Sequence, residues 1–156
     1  MKNFIQLILS IIICQGAGLV GSIFTAESVS TWYPTINKPE FNPPSWVFAP
    51  VWTMLFLLMG IALYLIIKNK PQGKYALMAL SIFGLQLILN VLWSFMFFGL
   101  ECPFCAFIEI LILLSAILAT ILAFYKINRL AAYLLLPYLF WVSFAAVLNF
   151  YIWQLN

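Results

Sequence analysis

Residues Trp32–Thr53, WYPTINKPEFNPPSWVFAPVWT, hold three of the chain's six tryptophans and five of its eight prolines. Proline fixes φ and removes a backbone donor, and the residue before each proline is pushed toward extended geometry. With Pro34, Pro39, Pro43, Pro44 and Pro50 in place, the segment cannot be one regular helix. The pattern predicts a stiff, shaped loop that turns helical near Trp46. The chain on either side is apolar. Membrane proteins seldom commit this much aromatic surface to a plain connector, so the predicted role is to lid or line a binding site.

The flanking composition sets the solvent. Of 156 residues, 66% are hydrophobic and 7% charged, with a mean hydropathy of +1.11. An ordinary soluble domain is about 25% charged. This chain cannot cover a soluble surface and reads as an integral membrane protein. Its net charge of +3 comes from seven basic and four acidic residues. The basic residues are scattered and form no stripe, which argues against nucleic acid as a partner. The absence of histidine excludes His-based triads, HExxH zinc sites and His-ligated haem. Three cysteines are too few for a disulfide framework.

Five apolar stretches approach the roughly 20 residues that a spanning helix needs. They are Phe4–Phe24, Trp46–Ile67, Tyr75–Phe98, Phe104–Tyr125 and Leu130–Trp153, with a first loop at 25–45. The initial Met1-Lys2-Asn3 and its apolar run resemble a signal peptide. The run is nevertheless as long as a full span and lacks a well-placed small-x-small site, so it is expected to stay as a helix. The later connections, Lys68–Lys74, Gly99–Pro103 and Lys126–Arg129, are short and make neighbouring helices antiparallel. The expected fold is an all-α, five-helix membrane bundle forming one domain over 1–156. Five helices do not divide into the matched halves of an inverted-repeat transporter. Lys2, Lys68, Lys70, Lys74, Lys126 and Arg129 fall on the N-terminal side of the bundle. Lys38, Glu27, Glu40 and Glu101 fall on the other. By the positive-inside rule the N-terminus is expected in the cytoplasm, with the first loop and the C-terminus outside.

Within the helices, polar residues mark faces. Ala17 with Gly21, and Gly18 with Ser22, are small-xxx-small pairs suited either to internal packing or to a dimer face. Gln86, Asn90, Trp93 and Phe97 share a face of the third helix. Amides in hydrocarbon are costly unless bonded, so that face should look inward, as interhelical glue or as site lining. Cys102-Pro103-Phe104-Cys105 opens the fourth helix and is open to three readings: inert small residues, a disulfide or redox pair, or metal ligation. Glu109 lies on the same line as the two cysteines. An ionisable group there is a functional candidate, with a structural hydrogen bond as the alternative. In the fifth helix Pro137 should cause a kink. Trp141, Ala145, Leu148 and Asn149 share a face beside Phe144, making an aromatic wall with room in front of it for a planar apolar ligand.

Together these residues resemble the translocator protein family, also called TspO/MBR, tryptophan-rich sensory protein or peripheral benzodiazepine receptor. The resemblance rests on Trp32-Tyr33, Lys38-Pro39, Pro43-Pro44-x-Trp46-Val47, Pro50-Val51-Trp52-Thr53 and Met59-Gly60. It continues through Gln86-Leu87-x-Leu89-Asn90-x-x-Trp93-Ser94-x-x-Phe97-Phe98-Gly99 and Pro137-Tyr138-x-x-Trp141-x-x-Phe144-Ala145-x-x-Leu148-Asn149. It spans almost the whole chain. It implies a five-helix bundle, a homodimer, and a pocket opening toward the first loop that binds porphyrins such as protoporphyrin IX and haem. By matched position it implies ligand contacts from Trp32, Tyr33, Trp52, Asn90, Trp93, Trp141, Ala145 and Ala146. Gln86, Lys38, Cys105 and Glu109 are accessory candidates.

Two departures matter. Animal members carry a sterol-linked motif ending in a basic residue. Here Val147–Trp153 runs into Gln154, which counts against a sterol partner. The reversed pattern at Arg129, Tyr133 and Leu135 is a weak motif. Cys105 stands where the family often has an aromatic residue near the pocket mouth. The expected function is therefore a membrane receptor for porphyrins and similar planar ligands, with roles in tetrapyrrole sensing, sequestration or transport. No cofactor is required, porphyrin being the ligand, and no metal ligand set is expected. The resemblance also implies an alternative, a light-dependent porphyrin-degrading enzyme using Trp32 and Trp141. No acid–base pair supports hydrolysis. A facilitative porphyrin or sterol carrier is a further alternative, since the chain lacks the intramembrane relay of an ion-coupled pump.

Overall fold

The computed structural model describes residues 2–69 and 73–156. Met1 and the centre of the predicted Lys68–Lys74 connection, Lys70 included, lie outside the described residues. Helix α1 covers Lys2–Ser28, α2 Phe48–Lys68, α3 Gly73–Ser94, α4 Pro103–Tyr125, α5 Arg129–Leu134 and α6 Leu136–Leu155. A 3-10 turn at Ser45–Val47 leads into α2, and a π-helical turn at Phe95–Gly99 extends α3. With α5 and α6 forming one span, five helical segments among the described residues are long and apolar enough to cross a membrane.

Several boundaries differ from the sequence expectation, each for a local reason. The predicted loop start at residue 25 is too early, because α1 continues to Ser28. Thr25 returns its hydroxyl to the Gly21 carbonyl and so costs the helix little. At Pro137 the expected kink takes the form of a break two residues upstream, at Leu135 (φ −89°, ψ −9°). Proline's ring and missing N–H disrupt bonding to the preceding turn, and Pro137 then sits in the first turn of α6, where a missing donor is tolerated. Pro50 likewise lies in the first turn of α2, as its third residue.

The spans close into a ring. Helix α1 packs against α2 and α3, α4 lies against α3 and α6, and α5 bridges α2 and α4. The α1–α2 contact is very close. A Cβ on Gly60 would stand 2.7 Å from the Ile11 Cα, and one on Gly18 would stand 2.6 Å from the Phe56 ring. Gly21 faces Ser94. Two of the small residues of α1 that left packing and dimerisation open thus face into the bundle. Outward faces carry bare apolar side chains such as Leu19, Ile23, Ile88 and Phe140, as expected against lipid.

The two ends differ in character. At one end Lys68 lies over the Tyr64 ring, Lys126 over Tyr75 and Arg129 over Tyr125. The Pro-Trp loop closes the other. Its Asn37 exchanges hydrogen bonds with Asn156, the backbone N–H donating to Oδ1 at 2.9 Å and Nδ2 of Asn156 donating to the Asn37 carbonyl at 3.0 Å. Phe41 packs edge-on against Tyr151, centroids 5.4 Å apart. The loop is therefore fixed to the far end of α6.

Candidate functional site

Beneath the loop the helices diverge around a partly open cavity of about 380 Å³. Such a volume lies within the roughly 300–1,000 Å³ usual for small-molecule pockets. Helix α2 contributes Phe48, Trp52 and Phe56, and α3 with its π turn contributes Asn90, Trp93 and Phe98. Trp141 and Ala145 come from α6, Tyr33 from the loop, and Gln15, Gly18, Ser22 and Thr25 from α1. All of these lining side chains are uncharged. The walls are aromatic faces with a few polar points, a surface suited to a flat, mostly apolar molecule.

Each wall is set by helical spacing and by a neighbour that holds it. Asn90 is buried and donates Nδ2 to the Tyr138 hydroxyl at 3.0 Å. Trp93 stacks on Phe97 four residues on, with centroids 5.2 Å apart and planes 21° apart. Its Nε1 donates to Asn149 Oδ1 at 3.1 Å. Asn149 in turn donates Nδ2 to the Pro103 carbonyl at 2.7 Å. Trp52 packs on Phe56 and Tyr138, and Phe48 meets Trp141 edge-on. The Trp141 Nε1 is buried and has no protein partner. Ala145 leaves space where a larger side chain would fill it.

Of the ligand contacts expected from the sequence, Tyr33, Trp52, Asn90, Trp93, Trp141 and Ala145 come together around the cavity; Trp32 and Ala146 do not line it. Trp32 turns away onto the edge of Phe97, centroids 5.6 Å apart. After Ser28 the Trp32 and Tyr33 N–H groups both donate to the Ser28 carbonyl, and both rings pack against Phe97, but only Tyr33 also lines the cavity. Ala146 is buried in the helix interface.

The accessory candidates also lie off the cavity lining. Lys38 donates Nζ to the carbonyls of Tyr33 and Ile36 at 2.6 and 2.9 Å and lies over the Tyr33 ring. It stiffens the loop and is not turned to the cavity. Gln86 meets the Met59 sulfur, so the glue reading fits it. Glu109 is buried without a hydrogen-bond partner for either carboxyl oxygen, so the structural bond offered as the alternative is not made. Cys105 is joined to Cys102 in a disulfide.

Sequence reasoning missed Phe48, Phe56 and Phe98 as lining, and it missed the whole α1 face. The signal for that face was available: Gln15, Gly18, Ser22 and Thr25 recur at helical spacing in an otherwise aliphatic helix. Gln15 Nε2 reaches across to the Thr53 carbonyl at 3.0 Å, tying α1 to α2 beside the cavity.

Comparison with known proteins gives the family. Residues 10–154 match the model of the TspO/MBR family. The chain belongs to the TspO/MBR family. It is 43% identical over 155 residues to the tryptophan-rich protein TspO of Chlorobaculum tepidum, covering 99% of this chain and 98% of that one. Against the tryptophan-rich protein TspO of Archaeoglobus fulgidus identity is 44% over 154 residues, with 99% of both chains covered. The translocator protein of Homo sapiens is 38% identical over 138 residues, covering 88% of this chain and 82% of the human one. Family membership and five membrane-capable helices make this TspO/MBR chain an integral, multi-pass membrane protein.

Proposed function

We propose that the protein is a membrane receptor for porphyrins, protoporphyrin IX and haem among them, held in the cavity beneath the first loop. The observation that carries this reading is the uncharged aromatic box of Trp52, Trp93, Trp141, Phe48 and Tyr33, with Asn90 among its few polar points. Stacking on rigid indole faces binds a planar macrocycle at small entropic cost. With no charge on the walls, the macrocycle enters by an apolar edge and leaves its propionates at the open, wetter side. A loop stiffened by prolines and by Lys38 lowers the ordering cost on binding.

In the same reading the lysine-rich end faces the cytoplasm of a bacterial-type cell membrane and the loop faces outward, following the positive-inside rule. The protein works as a homodimer in tetrapyrrole sensing, sequestration or transfer.

The test is quenching of protoporphyrin IX fluorescence by the purified protein in the dark. Trp141→Ala should weaken binding about tenfold, the cost of losing roughly 1–1.5 kcal/mol of aromatic contact. Unchanged affinity in that variant would remove the cavity as the site. One observation favours a second reading, light-dependent breakdown of the bound porphyrin. Three tryptophans line the cavity, within reach of electron exchange with a photoexcited macrocycle. The same assay under illumination separates the two: faster loss of porphyrin than in protein-free controls, slowed in Trp141→Phe with binding kept, would establish turnover.

A further inference from the structure

The turn between α3 and α4 brings a cysteine pair next to the cavity's support. Glu101 takes a left-handed conformation, φ 51°, and the chain reverses there. The Cys102 N–H then donates to the Met96 carbonyl within the π turn at 3.1 Å. Cys102 and Cys105 are disulfide-bonded and both half-buried, so a small thiol can reach them. Pro103 lies inside the short ring that this bond closes. Its carbonyl accepts from Asn149, whose side-chain oxygen accepts from Trp93. The cysteine ring is thus linked to one cavity wall by two consecutive hydrogen bonds and by the π turn itself.

We propose that Cys102 and Cys105 form a thiol–disulfide exchange site for dithiol reductants, whose state sets the ligand affinity of the cavity through Pro103 and Asn149. The exchange stands alone; its effect on affinity rests on the porphyrin-binding reading. Cys102 caps the N-terminus of α4, and its Sγ accepts the Cys105 N–H at 3.3 Å. That position stabilises negative charge on sulfur, which makes Cys102 the leaving group. A thiolate of the reductant attacks Cys105 Sγ, the protein S–S bond breaks, and the Cys102 thiolate takes a proton. The reductant's second thiol attacks the mixed disulfide, expels Cys105 as a thiolate that is protonated in turn, and closes the reductant's own disulfide. The reductant is oxidised by two electrons, and the cysteine pair gains two electrons and two protons. Opening the ring loosens Pro103. Asn149 is then a positioning residue whose hold on Trp93 weakens.

The test uses the full chain in lipid nanodiscs, untreated or reduced with dithiothreitol and then alkylated. Mass analysis should find Cys102 and Cys105 protected before reduction and both alkylated after it, with the buried Cys14 unlabelled throughout. Free thiols at both positions before reduction, or none after it, would overturn the exchange site. Amide exchange over residues 93–107 should quicken on reduction. No change there would overturn the coupling, whatever the ligand does. Dark affinity for protoporphyrin IX should fall about fivefold on reduction, the lower end of ordinary intersite coupling. The Cys102→Ser, Cys105→Ser double variant should show the weaker affinity with or without dithiol. Equal affinity in both redox states also overturns the coupling. Binding in neither state, with quickened exchange still seen, overturns the porphyrin reading and leaves the redox device standing.

Discussion

Glu109 is 3% exposed on α4, and neither of its carboxyl oxygens has a hydrogen-bond partner. A buried polar group left without a partner costs about 1–3 kcal/mol. Replacing it by an apolar side chain of similar length should therefore stabilise the fold: Glu109→Met is expected to raise the midpoint of thermal unfolding in detergent, with cavity binding unaffected. Tyr33 presents the opposite case, a buried hydroxyl that is satisfied. Burial raises its pKa above the ordinary value of 10, and its hydroxyl donates to Asn42 Oδ1 at 2.7 Å. The folded loop holds this proton more tightly than the unfolded chain does. Its contribution is complete below the ordinary value and is lost as pH rises through the higher folded one. Limited proteolysis of the loop should accelerate in that alkaline range. Tyr33→Phe should loosen the loop at neutral pH by about 1 kcal/mol and abolish that particular alkaline step. At this scale the sequence was informative where period alone decides direction. Asn90 with Trp93, and Trp141 with Ala145, could be placed on inward faces by counting. Trp32 and Lys38 could not, because contact with the Phe97 ring and bonds to the carbonyls of Tyr33 and Ile36 decide where they point, and such contacts leave no periodic trace.

Helices were legible because roughly 20 apolar residues in lipid have few alternatives to helix. Their irregularities were less so. Pro137 announced a break, whose position at Leu135 follows from the carbonyls that proline affects upstream. The π turn at Phe95–Gly99 had no comparable marker. It reflects aromatic packing among Trp93, Phe97 and Phe98, and Gly99 leaves room there for the Phe95 ring. Gly60 shows how strongly one contact between elements can depend on a missing side chain. Its virtual Cβ meets backbone, the Ile11 Cα at 2.7 Å, which cannot rotate away. Gly60→Ala should force α1 and α2 apart and cost about 1–3 kcal/mol, seen as a lower unfolding midpoint. Because α1 and α2 form two walls of the cavity, dark porphyrin affinity should fall in parallel.

Across the whole molecule, charge is segregated. Lys68, Lys74, Lys126 and Arg129 mark one end, while Glu27, Glu40, Glu101 and the tethered Lys38 mark the other. A protease site inserted in the loop near Glu40 should be cut from outside intact cells, and one inserted beside Lys126 should not. The reverse pattern would invert the topology. The α1–α2 and α3–α6 walls come from opposite halves of the chain, so no contiguous motif could have defined the cavity. Only the agreement of several separated faces made it readable. The disulfide is a different matter. The spacing of Cys102 and Cys105 was visible, but its link to Trp93 depends on Asn149 arriving from a helix far along the chain.

The bonds between Asn37 and the end of α6 span 119 residues of sequence. A chain is made from its N-terminus at roughly 5–20 residues per second, so the loop emerges on the order of ten seconds before the residues that anchor it. During that interval α1, the loop and α2 are present without Trp141, without the Tyr151 ring that receives Phe41, and without Asn156. The binding site is thus the last part of the protein to be completed, and a nascent chain stalled before α6 would present an untethered loop above a cavity with one wall missing.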